Sequence, residues 1–246
     1  MKKKLITLSL LLVLIIGSSI SYWNFSKTKI VAVENEQTSH FNVTMMQDDD
    51  YEKVINGLKE KYQNDDVVAL LEIPDVLEEP IVQTKDNDYY LHYDIRKDEN
   101  IIGATFLDFR NNLEESNKLL IYSHSDPEGN LPFVKLSNYN NESFYQNHKI
   151  IFLTDHKSKR KYEVFASYIE TSDFDYVNLE SFNGLTYEEH LNKLKNKSLI
   201  KTNVELDENS KIIILQTCSF NQNINEKTKY QLVMAKEIVE WEEWND

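Results

Sequence analysis

The chain has 246 residues, 41% hydrophobic and 11% aromatic, which is enough apolar material for one domain with a substantial core and too much for global disorder. Five glycines and four prolines exclude collagen-like and low-complexity classes. Residues 1–26 hold three lysines and no acid, so the remainder carries 24 basic against 41 acidic residues, a formal charge of −17 that argues against a nucleic-acid or anionic-membrane surface.

Met1-Lys2-Lys3-Lys4 precedes the uncharged stretch Leu5 to Trp23, which ends in an aromatic pair suited to a bilayer interface. The whole stretch is just long enough to span, whereas Leu5 to Ile16 alone matches a signal-peptide core. No Ala-x-Ala follows, which favours an uncleaved membrane anchor over cleavage at Gly17-Ser18-Ser19. With the lysines held inside, everything after Trp23 is expected outside, so the expected location is the cell membrane, single-pass, with an extracytoplasmic domain. Residues 24–47 are polar and aperiodic and read as a linker, leaving 48–246 as the folded domain. There Asp48-Asp49-Asp50 offers N-cap and first-turn acids ahead of Tyr51, Val54, Ile55, Leu58 and Tyr62, which fall on one face of a helix.

Short apolar runs follow at Val67–Ile73, Pro80–Gln83, Ile101–Leu107, Lys118–Tyr122, Lys149–Leu153, Tyr162–Ile169, Ile212–Thr217 and Gln231–Val239, with turn-type residues between most of them. Eight such runs predict a mainly β domain closed, or nearly closed, into a barrel. Only the interval 170–210 is long enough for a substantial crossover helix, and Tyr187 to Leu194 supplies one with Tyr187, Leu191 and Leu194 on one face.

The single cysteine, Cys218, ends the apolar run that starts at Ile212. A lone thiol makes no internal disulfide, and a strand that delivers it to its terminus makes it a candidate nucleophile, although an isolated cysteine is more often an inert small hydrophobe. A cysteine nucleophile needs an imidazole nearby, to favour thiolate and to return a proton to the leaving group. Of the six histidines, His40, His92, His148, His156 and His190 have no distinctive context, but His124 ends the run Lys118–Tyr122 much as Cys218 ends its own. No His or Cys pair has metal-ligand spacing and Asp48–Asp50 lacks the rest of a calcium loop, so neither metal nor cofactor is expected.

The order of anchor, helix, strand–His, strand–Leu-x-Thr-Cys and final strand resembles a sortase, and the details resemble class B. Asp86-Asn87-Asp88-Tyr89-Tyr90-Leu91 is similar to that class's Asn-x-x-Tyr-Leu segment, Phe106-Leu107-Asp108-Phe109-Arg110-Asn111 to its Phe-Leu-Asp-Tyr-Arg-Asn, and Leu215-Gln216-Thr217-Cys218-Ser219 to its Leu-x-Thr-Cys-Ser. The likeness runs in consistent order from about residue 50 to 239.

The resemblance implies an eight-stranded sortase-type barrel with an N-terminal helix and a helix before the cysteine strand. It also implies a transpeptidation in which Cys218 attacks the carbonyl of a threonine in a C-terminal sorting signal of a surface protein. His124 would protonate the departing amine, and a peptidoglycan amine would then displace the enzyme. Asn87, Leu91 and Thr217 would line the peptide groove. Two departures stand out. Ser123-His124-Ser125 replaces the usual Gly-His-Asn, and the arginine expected at the start of the last strand is Tyr230, which offers one neutral donor in place of a charged fork. Lys227 lies in the loop before it. Tyr230 keeps open a slow enzyme or a degenerate, peptide-binding surface protein, and a hydrolytic cysteine peptidase is a further alternative.

Overall fold

The computed structural model describes residues 50–238, so the expected anchor at 1–23, the linker at 24–47, His40, and Val239 at the end of the last apolar run lie outside the described residues. Eight strands close into a barrel: β1 Val67–Ile73, β2 Leu77–Val82, β3 Phe106–Leu107, β4 Lys118–Tyr122, β5 Ile150–Thr154, β6 Lys159–Glu170, β7 Ile212–Cys218 and β8 Tyr230–Glu237. Around the barrel the order is β1-β2-β3-β4-β7-β8-β6-β5, with β5 returning to β1. Pairing is antiparallel except at β2–β3 and β4–β7.

Strand alternation sorts the side chains into two apolar layers. Ile213 and Leu215 of β7, Val233 and Ala235 of β8, and Leu119 and Ile121 of β4 point inward, into a core closed at one mouth by Phe133, Leu136 and Tyr139. Those three come from a 3-10 helix, Pro132–Asn140. Ile212 and Ile214, Leu232 and Met234, and Leu120 point outward beneath the β6–β7 connection. Single buried residues in such layers are costly to truncate, about 2–5 kcal/mol for Leu or Ile to Ala.

The first helix, α1 (Tyr51–Tyr62), buries Val54, Ile55, Leu58 and Tyr62, as the spacing predicts. Asp50 sits at its N-cap position without a capping hydrogen bond, its carboxylate pairing instead with Lys53. Beyond its C-terminus the buried Asn64 donates to the Tyr90 hydroxyl (2.8 Å) and the Ile95 carbonyl (2.7 Å), tying the helix to the short α2 (Tyr89–His92). A second short helix absent from the sequence reading, α3 (Glu142–Asn147), is capped by Asn141. The crossover helix α4 (Tyr187–Lys195) begins at a capping box of Thr186 and Glu189 and buries His190, Leu191 and Leu194.

Under α4 lies a buried cationic group. Lys118, the first residue of β4, directs its amine at the Asn178 carbonyl and at His190 Nε2, 3.1 Å away. Burial and then the nearby Arg110 bring its pKa down to about 7, and burial and then Lys118 bring His190 down to about 4. Asp175 opposes both shifts but is itself bonded to Lys193. A lysine whose folded value lies below its unfolded one lets the unfolded chain hold more protons between about 7 and 10.5, so its contribution to stability rises with pH across that window. Lys118→Met is therefore expected to gain melting temperature relative to wild type as pH falls from the upper to the lower end of that window, measured by thermal denaturation. A difference independent of pH would contradict the assignment.

Candidate active site

β4 and β7 run side by side and parallel, with Tyr122 opposite Gln216, and the Ser123 amide continues the ladder to the Gln216 carbonyl at 3.1 Å. His124 and Cys218 thus leave the barrel at the same edge, each two residues beyond that last matched pair.

Cys218 lies directly opposite Tyr230 across the β7–β8 pair. Just beyond the two ends of β7, Ser219 donates to the Lys229 carbonyl (2.8 Å) and Glu237 to the Lys211 carbonyl (2.8 Å), so odd-numbered positions along β7 are the hydrogen-bonded ones. Cys218 and Tyr230 then fall at a non-hydrogen-bonded pair, where side chains approach most closely. Both are on the outward face, which also holds Leu232 and Met234. The Tyr230 ring packs edge-on against Phe174 with centroids 5.9 Å apart. Beneath them the buried Tyr176 hydroxyl donates to Gln216 Oε1 at 2.6 Å. Cys218 is exposed, yet the protein surrounding it pushes its thiol above the ordinary value by desolvation. The resting group is therefore a thiol, which needs a base to become a nucleophile.

His124 is oriented by backbone. The last carbonyls of α2 lack helical partners; that of Tyr90 accepts from the Ala104 amide (3.0 Å), that of His92 from Asn100 (2.7 Å), and that of Leu91 lies 3.1 Å from His124 Nε2. A carbonyl only accepts, so Nε2 carries a proton and Nδ1 is left as the ring's acceptor. Thr105 Oγ1 donates to Ser123 Oγ at 2.9 Å, fixing the residue before the imidazole.

Gly103, which the sequence reading passed over, is the residue that permits this contact. Its φ is +63°, and a Cβ there would lie 2.3 Å from the Tyr90 carbonyl oxygen and 2.9 Å from His124 Cδ2. Backbone and imidazole would both have to move. Gly103→Ala is expected to cost about 1–3 kcal/mol in stability, read as a lower melting temperature, and to displace His124. An unchanged melting temperature would show that the loop accommodates the methyl group.

Asn87 precedes α2 and Leu91 lies within it, and the two differ in what they hold. Asn87 Nδ2 donates to Asp108 Oδ2 (3.0 Å) and its Oδ1 accepts from the Phe109 amide (2.9 Å), so both ends of the amide secure the turn after β3. Asp108 is fully buried; desolvation raises its pKa, but hydrogen bonds from Arg110, Tyr122 and Asn87 outweigh this and hold the carboxyl below its usual range. Leu91 reaches His124 through its carbonyl. Thr217, on the inward face, is 2% exposed and lines a cleft of about 440 Å³ that opens beside Cys218. Lys227 is exposed, and Lys229 bonds the Asn221 and Ile224 carbonyls at 2.8 and 2.9 Å. Among the described residues no group of three or more His, Cys, Asp or Glu could hold a metal ion, and no helix is long and apolar enough to cross a membrane.

A closed eight-stranded β-barrel is the fold of a defined class of protein, and the sortase domain family matches residues 71–238. The chain belongs to the sortase family. Within it the likeness is to class B. Sortase B of Listeria monocytogenes is 34% identical over 157 residues, 63% of each chain, and sortase B of Staphylococcus aureus is 32% identical over 177 residues, 71% of each. The matched part thus spans a little under two thirds of the Listeria protein's length. A solved sortase B structure in complex with triglycine is 26% identical, with a TM-score of 0.72 over 87% of this chain and 98% of that one.

Proposed function

We propose that this chain is a cell-surface cysteine transpeptidase that cuts a C-terminal sorting signal after threonine and joins the released carbonyl to a cell-wall amine. The observation that carries the reading is the register of β4 with β7, which brings the imidazole of His124 and the thiol of Cys218 to one barrel edge. The His124 ring, with Nε2 engaged by Leu91, takes the thiol proton at Nδ1. The thiolate attacks the threonine carbonyl, and the imidazolium protonates the departing amine as the thioester forms. A primary amine then attacks the thioester, and the second amide replaces the first without ATP. Triglycine in the related complex is an amine of this kind. The substrate is a surface protein, Leu91 and Thr217 border its path, and Asn87 acts mainly by holding the turn beneath it. The uncharged segment 5–23 keeps the domain at the outer face of the membrane.

Tyr230 takes the place of the arginine in stabilising the oxyanion. Its hydroxyl gives one uncharged donor, and loss of a single donor of this kind lowers the rate by about 10²- to 10³-fold in other enzymes. Tyr230→Phe is expected to slow acylation further, and Tyr230→Arg to raise it by up to about 10²-fold, since a guanidinium restores charge and a second donor. If both are neutral while Lys227→Ala abolishes acylation, the loop lysine is the electrophilic partner. The raised thiol pKa and Tyr230 favour a second reading, a surface protein that binds sorting signals without cutting them. Incubating full-length protein with a sorting peptide and triglycine, and identifying products by mass spectrometry, separates the two. A triglycine adduct supports the transferase; bound but intact peptide supports the binder; cleavage to the free acid at every triglycine concentration supports a hydrolase.

A further inference from the structure

Glu79 is a carboxyl group inside the barrel, and no step of the reaction above uses it. It stands opposite Leu71 in the β1–β2 pair, and Leu71 belongs to the inner core, so the Glu79 side chain faces inward and is buried. Two more inward positions continue from it around the barrel. Leu107 of β3 and Ile121 of β4 lie opposite one another in the same core, which by alternation turns Thr105 and Ser123 inward as well. The Glu79 carboxyl hydrogen-bonds the Thr105 side chain, and Thr105 Oγ1 donates to Ser123 Oγ at 2.9 Å. From the other side the Ser123 amide donates to the Gln216 carbonyl at 3.1 Å. Three neighbouring strands thus form a polar chain that ends on the residue bonded to His124. Serine at 123, where the class pattern has glycine, supplies the hydroxyl that receives Thr105.

The proton count fixes the direction of this chain. A threonine hydroxyl has one proton, and that of Thr105 goes to Ser123, so Glu79 is the donor to Thr105 and carries its acid proton. Its surroundings favour that form. Leu71 faces it from β1 and Thr105 from β3; the charged groups that act on it are Lys135 of the 3-10 helix, whose amine also bonds the Val76 carbonyl at 2.9 Å, and Glu78 of its own strand. Burial raises the Glu79 pKa to about 8; Lys135 opposes the rise, Glu78 adds to it and the Thr105 hydroxyl opposes it.

Resting on the transpeptidase reading above, we propose that Glu79 is a positioning residue: its carboxyl donates to Thr105 and Thr105 to Ser123, and this chain holds His124 at the barrel edge. Glu79 acts through Ser123 and touches neither the substrate nor the reacting atoms. Ionisation reverses the chain. A carboxylate only accepts, so Thr105 must turn its proton to Glu79, and Ser123 must then donate to Thr105. The imidazole next to Ser123 registers the change.

The test has two arms, both on full-length protein. In the first, Cys218→Ala protein with carbon-13-labelled histidine, in which the thiol's own ionisation is absent, is titrated by NMR. The His124 signal, identified by its loss in His124→Ala, should show a second inflection at a pH of about 8 besides its own titration, and this inflection should vanish when Glu79→Gln or Thr105→Val is added. In the second, single-turnover acylation by a sorting peptide is measured below neutral pH. Glu79→Leu and Thr105→Val should each lower the rate constant by about 5- to 10-fold, the loss of one hydrogen bond, with peptide affinity within about twofold of wild type. Glu79→Gln, whose amide donates in place of the acid, should restore the rate to within about twofold. If Glu79→Leu folds poorly, Thr105→Val, which keeps the shape of threonine, carries the comparison. A single inflection in Cys218→Ala, a second one that persists with Glu79→Gln, or acylation as slow in Glu79→Gln as in Thr105→Val overturns the inference. The first arm needs no turnover, so a wild-type protein that forms no thioester while the Glu79-dependent inflection remains overturns the transferase reading alone.

Discussion

Cys218→Ala is expected to abolish covalent capture of a sorting peptide and all product formation, with the far-ultraviolet circular dichroism spectrum unchanged. The thiol is exposed at the end of β7, and its loss leaves the buried residues of that strand, Ile212 to Leu215, in place. The effect is therefore one of chemistry and not of stability. A residual adduct detected by intact mass spectrometry would move the nucleophile to an oxygen or nitrogen, because the chain contains no other sulfhydryl.

The second large effect is that of His124→Ala. A thiol held above its ordinary pKa is protonated at neutral pH, so acylation needs a group to accept its proton as well as one to release the leaving amine. Loss of His124 should lower acylation by about 10²-fold or more. Peptide affinity should be nearly unchanged, since the ring's hydrogen bond is to the Leu91 backbone. In the variant, acylation should become steeply dependent on pH above neutrality, because thiolate must then arise by direct ionisation. Wild-type acylation kinetics in His124→Ala would assign the proton transfer elsewhere.

Much of the barrel is legible in the sequence. The runs at Val67–Ile73 and Lys118–Tyr122 coincide with β1 and β4 because burial of nearly every residue gives continuous apolar segments with polar ends. The run Ile101–Leu107 is reduced to Phe106–Leu107, because Ile101 is 91% exposed and Gly103 turns the chain with positive φ. The 3-10 helix at Pro132–Asn140 had a signal in Pro132 followed by Phe133, Leu136 and Tyr139 at every third position, but the segment is too short for helical periodicity to stand out.

The site is legible only in pieces. His124 and Cys218 are visible as strand ends, and alternation puts Tyr230 on the face of Leu232 and Met234, where the outer apolar layer has them. That the two ends meet depends on a parallel β4–β7 pairing between segments about 90 residues apart in the chain, which no local pattern encodes. The same holds for Gly103 against His124, for the Leu91 carbonyl that sets the imidazole tautomer, and for the cleft at Thr217. Each is a product of tertiary approach.

The account stands most directly on where a sorting peptide becomes attached. Full-length wild-type protein, mixed with a threonine-containing sorting peptide, quenched in acid and digested, should yield one acylated fragment. That fragment should contain Cys218, carry the peptide cut after threonine, and lose the adduct to hydroxylamine. Its yield should collapse in His124→Ala. Acylation of another residue, or an unmodified Cys218 under conditions where the peptide is cleaved, would contradict the assignment of Cys218 and His124 as one catalytic pair.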